Sequence, residues 1–359
     1  MYIITNRRIT ASDGGYDIFE KTPNSIGIGE LRLVEIFTKD GVDSFKMLED
    51  KLTVGKIEKL NQNFNLDLDL NQEYHASLEV ASKLFQKARK TKKQILVFVH
   101  GYNNDMKDIV QTANKLELTY NVIPLIFSWP ANGEFTGVVN YKSDKKDARE
   151  SAGALNSFFK KLHYYHEIFT NAEVKKLLEK AQRKHPNNPL KAKEKYVELQ
   201  KKSCKVSINL LCHSMGNYLL KHEETPSDRS LKVPIFDNVC LVAADVNNEN
   251  HKEWVEKIEV KSNLYIVINK HDYALAFSRI KPKEEQLARL GHYRKGLNAR
   301  NATYIDVTNA DSIQTEHTYF IKTVDYDTKL KNVFANMFEG RDAEDGLVYQ
   351  SSNNSYVLE

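Results

Sequence analysis

The stretch Ile208-Asn209-Leu210-Leu211-Cys212-His213-Ser214-Met215-Gly216-Asn217 governs how the rest of this chain is read. An apolar run, the mark of a strand buried on both faces, stops on a serine with small residues two before and two after it. This is the layout of a strand-to-helix elbow. It projects a serine hydroxyl toward a histidine base, with a backbone N–H behind it facing a developing oxyanion. Crowding in such a turn demands small side chains. Gly216 meets the demand, and Cys212 stands where glycine is more usual. Ser-X-Gly triplets also occur in ordinary turns, so the serine hydrolase reading of Ser214 depends on its surroundings.

Other apolar runs supply those surroundings. Ile95–Val99 is β-branched-rich and ends in His100-Gly101-Tyr102, while Val122–Phe127 leads into Ser128-Trp129-Pro130. Val239–Ala244, Leu264–Ile268 and Ala302–Val307 follow Ser214, and helical patterns such as Ala148, Ala152, Leu155, Phe158, Phe159 and Leu162 lie between strands. Buried strands alternating with amphipathic helices predict an α/β fold with a mainly parallel sheet flanked by helices. Ligands of such sheets bind beyond the carboxyl ends of the strands. Gly101 lets the backbone approach a substrate there, and the N–H groups of Tyr102 and Met215 are the expected oxyanion donors. His100 reads as a structural histidine in preference to an acid–base group. Trp129 and Phe135 read either as pocket walls or, for Trp129 equally, as a core anchor.

Strand ends also offer an acid and a base. Asp272 follows Leu264–Ile268, and His317 follows Ala302–Val307, giving the order Ser214, Asp272, His317. His317 would take the proton of Ser214, and Asp272 would orient the imidazole and stabilise its cation. Asp245, after Ala243-Ala244, is the alternative acid. His292 is a rival base only if the last strand ends before it, and its basic neighbours argue for a surface loop.

With these residues in view, the strings Val97-Phe98-Val99-His100-Gly101-Tyr102-Asn103, Phe127-Ser128-Trp129-Pro130, Cys212-His213-Ser214-Met215-Gly216-Asn217 and Glu316-His317-Thr318-Tyr319-Phe320 resemble a bacterial α/β-hydrolase family of esterase/lipase-like proteins. Most of that family has no assigned substrate. The resemblance runs from about Ile95 to about Val333. It implies the α/β-hydrolase fold, Ser214 as nucleophile, His317 as base, and an acid at Asp272 or Asp245.

The chain departs from that pattern in a lysine-dominated helical insertion before the nucleophile strand, at about 171–205. Val174, Leu177, Leu178 and Ala181 share one helical face, and His185-Pro186-Asn187-Asn188-Pro189 breaks the helix, so a helical hairpin is expected. It reads as a solvated charged pair of helices, a lid, a docking arm for a protein partner, or a basic surface touching a membrane peripherally. Interspersed glutamates count against nucleic acid.

The 359 residues fit one large catalytic domain over 91–338. Residues 1–90, with strand-like Tyr2–Thr5 and Leu31–Phe37 as antiparallel edge additions and an apolar stripe on Leu78, Ala81, Leu84, Phe85 and Ala88, are read as part of that domain. The polar stretch 339–359 is read as a flexible tail. A net charge of +4 demands no polyanionic partner, and Cys204, Cys212 and Cys240 suggest neither a zinc site nor a disulfide framework. No phosphate loop or metal-ligand spacing is visible, so no cofactor is expected. Met1–Arg8 lacks a signal-peptide core and no segment is long enough to span a bilayer, which makes cytoplasmic residence the expectation. The expected substrate is a small acyl ester or a lipid, with thioester or amide as variants. A lipase or phospholipase acting at membranes, and a hydrolase-fold scaffold that docks through the insertion, stand as alternatives.

Overall fold

The apolar runs all become strands. The computed structural model describes residues 1–131, 138–202, 206–223, 234–279 and 287–359. Eight parallel strands lie side by side in the order Ser355–Val357, Ala302–Asp306, Asn263–Ile268, Asn238–Val242, Ile208–His213, Gln94–Val99, Val122–Ser128 and Tyr2–Thr5. Arg32–Lys39, Val42–Met47 and Asp13–Gly14 extend one edge in antiparallel fashion, and Val348–Gln350 extends the other.

Both faces of the sheet are covered, which explains the continuous apolar strands. Leu96 and Phe98 join one buried cluster with Ile109, Val110 and Ala113 of the helix Met106–Thr119 and Phe334 and Phe338 of the helix Thr328–Phe338. Their neighbours Ile95, Val97 and Val99 alternate to the opposite face and are equally buried. On that side Phe127 stacks on Phe158, with ring centroids 5.8 Å apart. Asp105 opens Met106–Thr119 with a reciprocal capping box to Asp108, which satisfies two otherwise unpaired N–H donors.

Three expectations about organisation need correction. First, Tyr2–Thr5 is no antiparallel edge addition: it continues the parallel run beside Val122–Ser128, and Arg32–Lys39 pairs with its other side. Second, the stretch 339–359 is not a free tail. Its two three-residue strands pair with each other, Ser355 and Val357 are buried, and the Leu358 N–H donates to the Asp306 carbonyl at 3.0 Å. The polar Ser351–Asn354 run that suggested mobility is the turn of this hairpin.

Third, the chain divides into two compact units. One comprises 1–47, 94–158 and 207–359 and contains the sheet. The other joins 48–93 to 159–206, so half of the N-terminal region groups with the lysine-rich helices. This helical unit contains Val54–Phe64, Ala76–Thr91, the later part of Ala152–Lys184, and Pro189–Lys202. The break between the last two falls at the expected proline pair. The apolar stripe of Ala76–Thr91 packs here, with the Phe85 and Phe169 rings 5.0 Å apart and Ser77 bonded to the Tyr165 hydroxyl at 2.6 Å. Amphipathic periodicity shows that a helix has a buried face but not what covers it.

Candidate active site

The sheet's strand order reverses next to Gln94–Val99. From Val99 the chain passes through Met106–Thr119 to a strand on one side, whereas from His213 it passes through Gly216–His222 to a strand on the other. Diverging connections leave a crevice beyond the carboxyl ends of these two strands. A cleft of about 830 Å³ opens there, lined by Tyr102, Tyr141, His213, Ser214, Asp245 and His317 among others.

Ser214 sits at φ +53°, the left-handed region that a side-chain-bearing residue enters only at a cost of about 1–3 kcal/mol. The surroundings hold it there. Its N–H donates to the Val242 carbonyl at 3.1 Å, and its own carbonyl accepts from the Asp245 N–H at 3.2 Å and from Asn217 Nδ2 at 3.0 Å. Asn217 Nδ2 also donates to the Cys212 carbonyl, tying strand end to helix start. Gly216 is required by space: a Cβ there would lie 2.7 Å from the Val99 carbonyl oxygen and 2.8 Å from that of His100. The fully buried Cys212 is tolerated at the other flank.

The loop after Val99 reaches the same serine. A Cβ on Gly101 would meet Ser214 Cβ at 2.7 Å and Oγ at 3.2 Å, so the bare backbone at 101 is what allows the approach. Neither Tyr102 nor Met215 spends its backbone N–H on another described residue. His100 is fully buried and stacked on Trp129, with ring centroids 5.1 Å apart and planes 2° from parallel. Its Nε2 accepts from the Trp129 N–H at 3.2 Å and its Nδ1 faces the Gly101 carbonyl at 2.9 Å. One neutral tautomer satisfies both, and burial pushes its pKa down to about 3. His100 and Trp129 are therefore structural, and Trp129 lines no part of the cleft. Phe135 lies outside the described residues.

The two candidate acids part company here. Asp272 is fully buried. Its Oδ2 meets His317 Nδ1 at 2.7 Å, and its Oδ1 accepts the N–H groups of Ala274 and Leu275, both at 3.0 Å, as the cap of the helix Tyr273–Ser278. Asp245 is equally enclosed but faces Arg289 Nε at 3.1 Å and accepts the Tyr141 hydroxyl at 2.9 Å. His292 is not in the cleft lining; its N–H donates to the Arg289 carbonyl.

Several contributors carry no signal in the sequence pattern. Arg7, almost fully buried, donates from Nη2 to the Asn104 carbonyl, from Nη1 to the Ala131 carbonyl and from Nε to Ser128 Oγ, at 3.2, 3.0 and 3.0 Å. Burial lowers its pKa to about 10, against the opposing pull of Asp144, Asp105 and Asp147. Arg289 and Tyr141 are likewise defined only by what they touch. The remaining cleft walls are mixed: Tyr273, Leu275, Phe277 and Ile321 offer apolar surface, while Asn104, Gln111 and Thr112 offer polar atoms. Among the described residues no cluster of His, Cys, Asp or Glu is placed to hold a metal ion, and no helix is long and apolar enough to cross a membrane.

A mostly parallel sheet flanked by helices, with a serine elbow and a strand-end histidine sharing one cleft, defines an α/β hydrolase. The chain belongs to the family described as "Alpha/beta hydrolase of unknown function (DUF900)", whose model matches residues 76–170 and 169–331. No curated protein and no solved structure gives a significant match.

Proposed function

We propose that this hydrolase cleaves a carboxylic ester through Ser214, His317 and Asp272, by way of an acyl-enzyme. The observation that carries the reading is the 2.7 Å contact of His317 Nδ1 with Asp272, formed in the same cleft as a serine fixed at positive φ.

Asp272 Oδ2 can only accept, so Nδ1 of the neutral His317 carries the proton and Nε2 keeps its lone pair. Nε2 takes the Ser214 proton as Oγ attacks the acyl carbon. The resulting oxyanion receives the unspent N–H groups of Tyr102 and Met215. Nε2–H then protonates the departing alcohol oxygen, leaving the acyl group on Ser214. Water, deprotonated by the same nitrogen, attacks the acyl carbon and releases the acid and the free serine. Throughout, the Asp272 carboxylate stabilises the imidazolium. Its two backbone donors prevent it from rotating away. Esters are favoured over thioesters and amides by analogy of fold.

Labelling with a fluorophosphonate probe tests this directly. The adduct should map to Ser214 by mass spectrometry and be lost in Ser214→Ala and His317→Ala. Folded wild-type protein that takes up no label would sink the reading and favour a binding role for the fold.

A further inference from the structure

His213, immediately before Ser214, has no part in the scheme above, yet it lines the cleft. Its ring is wedged between two others: the His317 ring lies 4.6 Å away at an interplanar angle of 48°, and the Phe320 ring 5.1 Å away at 61°. Its Nε2 lies 3.2 Å from the main-chain carbonyl oxygen of His317.

That oxygen can only accept, so Nε2 carries the proton and donates. Burial, reinforced by the neighbouring His317, pushes the His213 pKa well below 6.5. The ring is thus neutral at the pH where an ester hydrolase works, and it adds no like charge when His317 becomes an imidazolium. The loop bearing His317 is otherwise held by its own residues and by the segment 269–273, from which the Tyr273 N–H donates to the Thr315 carbonyl at 3.2 Å and Asn269 Nδ2 reaches the Glu316 carbonyl at 3.4 Å. Glu316 Oε1 accepts the N–H groups of His317 and Thr318 at 3.1 and 2.9 Å, and Asn269 Nδ2 holds the Gln314 carbonyl at 3.0 Å. Asp272 fixes the rotation of the His317 ring but leaves the height of its backbone over the elbow to be set by something else. The His213 side chain supplies that link, because it issues from the residue next to Ser214 and ends on the backbone of His317.

We propose that His213 is a positioning residue for the base. Its Nε2–H, donated to the His317 carbonyl, locks the histidine loop to the serine elbow, so that the spacing of Ser214 and His317 is set from within the elbow itself. This rests on the assignment of Ser214 and His317 given above.

The test uses the full chain as wild type, His213→Phe and His213→Gln. Each is measured for kcat and KM on 4-nitrophenyl butyrate, for the rate of fluorophosphonate labelling, and for melting temperature. The phenyl ring fills the wedge but cannot donate, so kcat and the labelling rate should fall roughly ten- to a hundred-fold with KM little changed, the size expected for a displaced catalytic group. The glutamine amide reaches about as far as Nε2 and can donate, so it should recover most of the loss. A phenylalanine variant as fast as wild type overturns the proposal. So does a glutamine variant as slow as the phenylalanine one, which would show that a donor at this place does not restore the rate. If His213→Phe does not fold, His213→Asn replaces it: its amide is one methylene short, and full activity there also overturns the proposal. Wild type that hydrolyses the ester without labelling at Ser214 would instead refute the assignment on which the proposal rests.

Discussion

Asp245 and Asp272 stand at the ends of neighbouring strands, and both are buried beside the same crevice. Their partners differ. Asp272 receives two backbone N–H groups and an imidazole, so its charge is solvated by dipoles and has no guanidinium beside it; in the proposed scheme it faces the cation that forms on His317. Asp245 is already matched by the Arg289 guanidinium and the Tyr141 hydroxyl. A strand-end position brings a carboxylate to the site. Whether it can serve a histidine depends on the charge next to it.

The sharpest way to break this contrast is Asp272→Asn. Asparagine still caps the helix through its carbonyl oxygen but favours the wrong imidazole tautomer, and turnover should fall by about 10⁴-fold with the fold intact. Steady-state kinetics beside circular dichroism checks it, and a loss under ten-fold would return the acid role to another residue. Asp245→Asn should do the opposite. It strands a buried guanidinium, so stability in urea should drop by about 3–5 kcal/mol while ester turnover in the folded fraction changes far less than in the Asp272 variant. If the reverse order of catalytic losses is measured, the two roles exchange.

A pH titration reads out a buried histidine at another strand end. His100 has a folded pKa near 3, against 6.5 when free, so the unfolded chain binds a proton that the folded chain refuses. The stability this contributes is complete above 6.5 and is lost as pH falls from there toward 3. Urea melts at pH 7 and pH 4.5 should therefore differ more for wild type than for His100→Gln; equal differences would place the acid sensitivity elsewhere. The smallest effect is expected for Tyr141→Phe, which removes one neutral donor from Asp245 and leaves the ion pair. Its cost should be about 1 kcal/mol of stability, read as a shift in urea midpoint, with turnover nearly unchanged.

Much of this was legible in the chain because the signals were local. A strand buried on both faces reads as an unbroken apolar run, and Cys212 to Gly216 reads as an elbow because sterics leave few residues that fit. The strand-end positions of Asp272 and His317 were readable in the chain, and the fold brings their side chains together. The choice between Asp272 and Asp245 was not readable there, since it depends on Arg289, 44 positions beyond Asp245 in the sequence numbering, and on Tyr141, far before it. The helical unit was half legible: the proline break marked its hairpin, but the grouping of 48–93 with 159–206 is a long-range packing fact that no local periodicity encodes. The C-terminal hairpin was missed because three-residue strands are too short to show alternation.

Arg7 lies outside the region matched by the family model, which begins at residue 76. Its guanidinium nevertheless grips the carbonyls of Asn104 and Ala131, one in the loop that carries Tyr102 and the other just past the Ser-Trp-Pro string. The segment matched by the family model therefore leaves out a residue that holds the loop at the cleft. A clone trimmed to the matched residues would keep Ser214, Asp272 and His317 yet lose the clasp on the loop facing them. Any shortened version that keeps this loop clasped has to begin upstream of Arg7, about a hundred codons before Asn104.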